Sequence, residues 1–319
     1  MEINTFDNEK WKAEFASLSE AVKTQRDYSA ATKIRSMRAE LFQQTVAIVN
    51  DGKYLAESGK TVLLPNDRLM IERTEMYSSP IHPDESDSQQ KETEVRVENC
   101  DCLLAAKALL DAGYNPAVLN MASRQNPGGG VYSGAGAQEE NLFRRTNLFR
   151  SMFQFAPYAA QYGLKKSSFQ YPLDMNFGGV YTPDATVFRG TEQDGYPLLD
   201  DYFQMSFIAV AAMNRPDLDM EGFIAPHLIE GVKNKMRTIF RIGLLKGHDA
   251  LILGAAGCGA FRNPPVHIAR LFHEVMEEEE FKNRHKLISF AILEDHNSGH
   301  RHNPKGNYMP FKLEFSNNE

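Results

Sequence analysis

Cysteine is scarce in this chain: three residues, Cys100, Cys102 and Cys258, among 319. So small and odd a number excludes a disulfide-stapled scaffold, and a reduced protein of the cell interior, cytoplasmic or nuclear, is expected. No second pair at zinc spacing accompanies Cys100 and Cys102, which argues against a metal site on them. Long apolar runs are missing as well, and none approaches the roughly 18 residues that a membrane span requires. The opening stretch MEINTFDNEKWKAEF shows no basic segment leading into an apolar one, so no signal peptide is expected. Positive charge is in deficit: 35 Lys and Arg against 42 Asp and Glu leave a formal net charge of -7. That balance disfavours broad electrostatic binding to nucleic acid or to an anionic membrane. An anionic ligand would have to be recognised locally, by backbone amides, helix ends or a few placed arginines.

What is present is material for a core, 42% hydrophobic residues with 24% charged, an ordinary globular composition. Residues 8–50 read as helical, with Ile34, Met37, Leu41, Val46, Ile48 and Val49 at roughly helical spacing. YLAESGKTVLLP then reads as a hairpin with a Ser-Gly turn. The stretch 78–94 is polar, acidic and proline-containing, so an exposed loop is expected there. CDCLLAAKALLDAG reads as a compact helix ending at Gly113, and PAVLNMAS as a short apolar strand. VYTPDATVFRG and MSFIAVAAM read as strands, and 227–245 as an amphipathic helix. In the last unit, ALILG is a buried-type strand, AAGCGAFRN a glycine-rich loop, and KLISFAIL a returning strand. The helix between them carries Ile268, Leu271, Phe272, Val275 and Met276 on one face, with Asn263 as expected N-cap and Pro264 at its first position. This is a parallel βαβ crossover, and the alternation as a whole predicts a layered α/β fold.

Two glycine-rich loops each follow an apolar strand and precede a helix, the place where open α/β sheets gather ligands. The first is NPGGGVYSGAGAQEENLF, residues 126–143. Neither carries the Gly-Lys-Ser/Thr of a nucleotide-triphosphate loop, and the second lacks the third glycine of a dinucleotide fingerprint. An ordinary glycine turn is the alternative reading of either loop, less favoured because both stand at strand ends. Glu139 and Glu140 stand at a helix start, where acids commonly complement the helix dipole. A carboxyl group that gives and takes a proton beside a sugar is also what glycosidic cleavage needs.

Three glycines, seven residues and Gln-Glu-Glu (Gly128–Gly130, then Gln138–Glu140) resemble the signature of poly(ADP-ribose) glycohydrolases. LNMASRQNPGGGVYSGAGAQEENLFRRTNLF is similar to the microbial branch of that family. LILGAAGCGAFRNPP resembles its diphosphate-binding loop, and GNYMPF is similar too. The resemblance runs over most of the chain from about residue 30. It implies a macrodomain-like three-layer α/β/α core with a mixed central sheet, over residues 61–319, and an N-terminal helical extension over 1–60. It implies hydrolysis of ribose–ribose O-glycosidic bonds in poly(ADP-ribose), mainly from chain ends, with release of ADP-ribose and reversal of ADP-ribosylation as in the DNA damage response. Glu140 would be the general acid and base, with Glu139 and Gln138 holding ribose hydroxyls and orienting it.

By the same resemblance Gly128, Gly129 and Gly130 form the catalytic loop, and Asn126 hydrogen-bonds the distal ribose. Gly257, Cys258, Gly259 and Ala260 would offer amides to the diphosphate, and Phe261 would pack near the distal ribose. No metal or other cofactor is implied. The partners implied are poly(ADP-ribose) on modified proteins and ADP-ribose itself, with no membrane, no sequence-specific nucleic acid and a monomeric state. Hydrolysis of mono-ADP-ribosylated acceptors and non-catalytic ADP-ribose binding are the alternatives, the second opposed by the intact Gln-Glu-Glu triplet. His296, His300 and His302 lie in a polar loop, expected to face solvent or touch the substrate rim and not to ligate metal. Arg144 and Arg145 read as exposed helix arginines, with polymer phosphates as the other possibility.

Overall fold

The computed structural model describes residues 6–82, 92–294, 298–299 and 301–316. Most of the expected acidic loop, and His296 and His300, lie outside the described residues. In chain order the elements begin with α1 (Asn8–Gln25), α2 (Tyr28–Asp51), β1 (Lys53–Leu55), β2 (Thr61–Leu63), α3 (Arg68–Glu72), β3 (Glu75–Tyr77), β4 (Glu94–Glu98), α4 (Cys102–Asp111) and β5 (Pro116–Met121). After the first glycine-rich stretch come α5 (Gln138–Arg145), α6 (Leu148–Met152), β6 (Gly179–Arg189), β7 (Leu198–Val210) and α7 (Pro226–Leu245). The chain closes with β8 (Ala250–Leu253), α8 (Pro265–Met276), β9 (Leu287–Ala291) and α9 (Tyr308–Ser316).

The helical reading of 8–50 resolves into two helices. Arg26 adopts a left-handed φ of 54° and ends α1, and the Asp27 carboxylate then accepts from the Ser29 and Ala30 amides at 2.8 and 3.1 Å, capping α2. The β1–β2 hairpin turns at Gly59 as its Ser-Gly pair predicts. The Asn263 expectation is corrected: the N-cap of α8 is Pro264, and Pro265 takes the first helical position. Asn263 is drawn instead into the preceding loop, as described below.

Seven strands form one sheet in the order β3-β6-β7-β5-β8-β9-β4. β7 with β5, β5 with β8, β8 with β9 and β9 with β4 pair in parallel, and β3 pairs antiparallel with β6. The mixed α/β architecture read from the sequence is therefore the one observed. The β8–α8–β9 crossover is parallel as expected.

The chain forms two compact units. The first comprises Met1–Thr74, Asn126–Gln170 and Thr182–Gln204; the second comprises Glu75–Gln125, Tyr171–Tyr181 and Met205–Glu319. In the first, α1 lies on α2, and Trp11, Met37, Leu41 and Tyr196 share a buried cluster. α2 also packs on the turn Val131–Ser133 and on α5, so the N-terminal helices back the first glycine-rich loop. In the second, alternate strand residues Ala117, Leu119, Ile208, Leu251 and Ile288 share one cluster with Ile239, Ile268 and Phe272 of α7 and α8. α4 packs on β5, β8 and β9, and its buried Leu103, Ala106 and Leu109 stand outside that cluster. Period-two alternation thus gives those strands two buried faces.

Candidate active site

The first loop is built from consecutive tight turns. Asn126 O accepts from Gly129 N at 3.1 Å, Gly128 O from Val131 N at 3.0 Å, and Gly130 O from the Ser133 and Ala135 amides at 3.0 and 3.1 Å. α5 begins at Gln138, and both glutamates of its first turn fold back onto the loop. Glu139 Oε1 accepts from Gly128 N at 3.0 Å, and Glu140 Oε1 from Gly130 N at 2.8 Å. Glu140 Oε2 accepts from Ala137 N at 3.1 Å, the side-chain half of a capping box. Both carboxylates are nearly covered, at 3% and 7% exposure. A buried carboxylate needs such donors, and here they are backbone amides that no side-chain rotation can withdraw.

Gly129 explains why the loop cannot carry a side chain. Its φ is +54°, and a Cβ there would lie 2.5 Å from Glu140 Oε1 and 2.9 Å from Glu139 Oε2. The backbone therefore sits against both carboxylates at a distance open only to glycine. Across the loop lies an aromatic group: Tyr132 stacks on Phe153 with centroids 5.8 Å apart, and the Tyr132 and Tyr162 hydroxyls hydrogen-bond. The Tyr158 phenol is pushed up to about 12, first by burial and then by the charges of Tyr162 and Glu139.

Four residues not singled out for this role hold the loop from behind. Arg144, four residues after Glu140, donates from Nη1 to Ala135 O at 2.8 Å and from Nε to Tyr196 Oη at 2.8 Å. Tyr196 Oη donates to Glu192 at 2.9 Å, and Arg38 grips the same carboxylate through two bonds of 2.7 and 2.8 Å. Burial pushes the Glu192 carboxyl up, but the Arg38 hydrogen bond and charge outweigh it and hold the group below the usual carboxylate range. Arg144 and Arg145 are 0% and 2% exposed, so the reading of exposed helix arginines is corrected. Arg145 Nη1 donates to Asn141 Oδ1 at 3.2 Å. The i,i+4 spacing of Glu140 and Arg144 placed them on one helix face, and that spacing was the signal available in the sequence.

The second loop, in the second unit, follows β8. Cys258 N donates to Ala255 O at 3.0 Å and closes a turn, so that amide is engaged within the loop. Arg262 N returns to Gly259 O at 3.1 Å and Asn263 N to Gly257 O at 3.0 Å. The amides of Gly257, Gly259, Ala260 and Phe261 have no acceptor among the described residues. Such a run of adjacent N–H groups is a nest for an anion. Asn263 Nδ2 donates to Met213 O at 2.7 Å and Gly257 O at 3.1 Å, clamping the loop to the end of β7. His302 reaches the loop from the far segment, its Nε2 lying 2.8 Å from Cys258 O. Burial pushes the Cys258 thiol far above its ordinary range, which makes it a packing residue and not a nucleophile.

Asn126 and Ala260 are exposed, while Gln138 and Phe261 are half-buried. Among the described residues no three His, Cys, Asp or Glu side chains could hold a metal ion. Below the second loop a cavity of about 20 Å³, lined by Leu119, Met213, Lys235 and Asn263 among others, has room for about one water. Lys235 is buried there, its amine lowered to about 8 by burial first and then by the charge of Arg124. The sequence reading passed over it.

A mixed α/β fold whose glycine loop cradles two buried glutamates has the makings of a glycosidase. Residues 42–190 match the family model described as the microbial-type PARG catalytic domain, PARG being poly(ADP-ribose) glycohydrolase. The poly(ADP-ribose) glycohydrolase of Thermomonospora curvata is similar in structure, with a TM-score of 0.72 and 26% identity over 88% of this chain and 100% of that one. That of Deinococcus radiodurans, in complex with ADP-ribose, gives a TM-score of 0.61 and 26% identity over 81% and 100%. Among curated proteins none matches the chain. The resemblance to the microbial poly(ADP-ribose) glycohydrolases read from the triple glycine and Gln-Glu-Glu is borne out.

Proposed function

We propose that the chain hydrolyses ribose–ribose O-glycosidic bonds in poly(ADP-ribose), acting mainly at chain ends and releasing ADP-ribose, with Glu140 as the general acid and base. The observation that carries this reading is the Glu140 carboxyl, buried at the first turn of α5 and fixed by the Gly130 and Ala137 amides. Its protonated form gives a proton to the departing ribose oxygen while positive charge develops on the distal ribose. The carboxylate left behind then takes a proton from the attacking water. Glu139, tied to Gly128 N, holds a ribose hydroxyl and keeps the loop in register with its neighbour, and Gln138 and Asn126 add polar contacts to the sugar. The second loop, with its unengaged amides at Gly257, Gly259, Ala260 and Phe261, binds the diphosphate without needing a cation, as an acidic protein requires. Phe261 packs beside the distal ribose.

The test is digestion of labelled polymer with products resolved by length. The parent chain releases ADP-ribose, and Glu140→Gln loses at least about a thousandfold in rate, a general-acid contribution compounded by the lost base, while ADP-ribose affinity by calorimetry stays within a few fold. Near-normal digestion by Glu140→Gln overturns the role of Glu140. Release from mono-modified protein alone overturns the choice of substrate.

A further inference from the structure

One groove of the first unit is not used by this chemistry. It encloses about 950 Å³ and is lined by Arg68, Arg150, Gln154, Lys165, Lys166 and Ser168 among others. Two of its four cations are matched: Arg150 pairs with Asp67 and Arg68 with Glu72, each at 2.7 Å. Lys165 and Lys166 are exposed and pair with no carboxylate among the described residues. On a chain of net charge -7, a groove with two unmatched ammonium groups is a local reversal of sign.

Exposed aromatic rings occur in the same unit, one of them next to the lining. Phe169, directly after the lining Ser168, is 53% exposed, and Tyr132 is 40% exposed. Ammonium groups beside an exposed ring are what a nucleotide polymer meets on its binding proteins. The groove is connected to the first glycine-rich loop through Arg150, Tyr162 and Tyr132. Arg150 Nη1 donates to Tyr162 O at 2.5 Å, and Tyr162 Oη bonds Tyr132 Oη, two residues beyond Gly130.

We propose that this groove is a second binding site, for the polymer segment beyond the unit being cleaved. Lys165 and Lys166 meet its diphosphates, and Phe169 stacks with an adenine. The proposal rests on the reading of poly(ADP-ribose) as substrate. It gives the enzyme a grip on long chains that short ones cannot use.

Three measurements on the full chain test it. In the first, Lys165→Glu/Lys166→Glu and the parent are titrated with long labelled poly(ADP-ribose) across a range of salt. The double variant binds about tenfold more weakly, and its slope of log affinity against log salt flattens by about 1.4, the loss of two phosphate contacts on a single strand. In the second, the KM for long polymer rises by a similar factor with kcat unchanged, while a two-unit fragment with one ribose–ribose bond is cleaved as by the parent. In the third, Phe169→Ala weakens polymer binding without altering the salt slope. Unchanged affinity in the double variant, or an equal loss on the two-unit fragment, overturns the proposal. So does equal competition by single-stranded RNA of the same length, which would make the groove a general polyanion surface. If the parent cleaves no polymer the functional reading fails, and the binding titration still decides the groove.

Discussion

At Gly129 the fit between backbone and chemistry is tight enough to be tested by one methyl group. Alanine there must adopt a φ of +54° and place its Cβ 2.5 Å from Glu140 Oε1. The backbone strain costs about 1–2 kcal/mol, which a chain of this size survives, but the carboxyl group must move. If Glu140 is the acid and base proposed above, a shift approaching 1 Å there costs about a hundredfold in rate. Gly129→Ala is therefore expected to keep its circular dichroism and lose polymer hydrolysis by that factor; full activity would show that the contact does not hold Glu140. Most of these residues were legible in the sequence, because glycine triplets and vicinal acids are signals in themselves. Which oxygen meets which amide was not, since that depends on the turns closed by Asn126, Gly128 and Gly130 carbonyls.

Among the elements, α5 joins the loop to its support. Its first turn carries Glu139 and Glu140, and its last turn carries Arg144, whose guanidinium spans from Ala135 O to Tyr196 Oη. Arg144 touches no reacting atom in this reading and acts as a positioning residue. Arg144→Met keeps the stem's bulk but leaves a buried carbonyl without its donor, at a cost of about 1–3 kcal/mol. The expectation is a fall of about tenfold in kcat with KM within a factor of two, and a smaller loss in Arg144→Lys. If kcat is unchanged while thermal stability drops, the arginine serves the fold alone. The longer helices, the hairpin and the buried strands were readable from the sequence pattern, but α3 and α9 were not. β4 was not: EVRVE alternates two valines with charges at the edge of the sheet, and such a strand looks like exposed chain until β9 pairs with it. The Asn263 cap failed for a related reason, because its side chain had two loop carbonyls to satisfy, and these outcompete a helix start that already has Pro264 and Pro265.

For the molecule as a whole, the buried Lys235 makes stability depend on pH in a chosen direction. Its amine falls from an ordinary 10.5 to about 8, so between those values the unfolded chain binds the extra proton and stability rises with pH. Below pH 8 both states are protonated and the full burial cost is present, on the order of 3 kcal/mol. Urea midpoints followed by circular dichroism are expected to climb from pH 8 towards 10, and Lys235→Met to be more stable at pH 7 and free of that climb. A parent curve that is flat over this range would rule the buried charge out. Among the described residues no helix is long and apolar enough to cross a membrane, in keeping with the missing apolar runs of the sequence.

By itself the sequence determined the mixed α/β class, the family resemblance and the two glycine loops with their glutamates. All of these rest on local patterns: periodicity, glycine where side chains are excluded, acids at a helix start. Only the tertiary structure decided what those residues touch. Arg144 and Arg145 turned inward because α5 lies against α2, with Tyr196 Oη accepting from Arg144 and Asn141 Oδ1 and Arg189 O accepting from Arg145, and a charge is buried only where partners are waiting. Lys235, His302 and the Lys165–Lys166 groove belong to the same group, since their surroundings come from segments far apart in the chain.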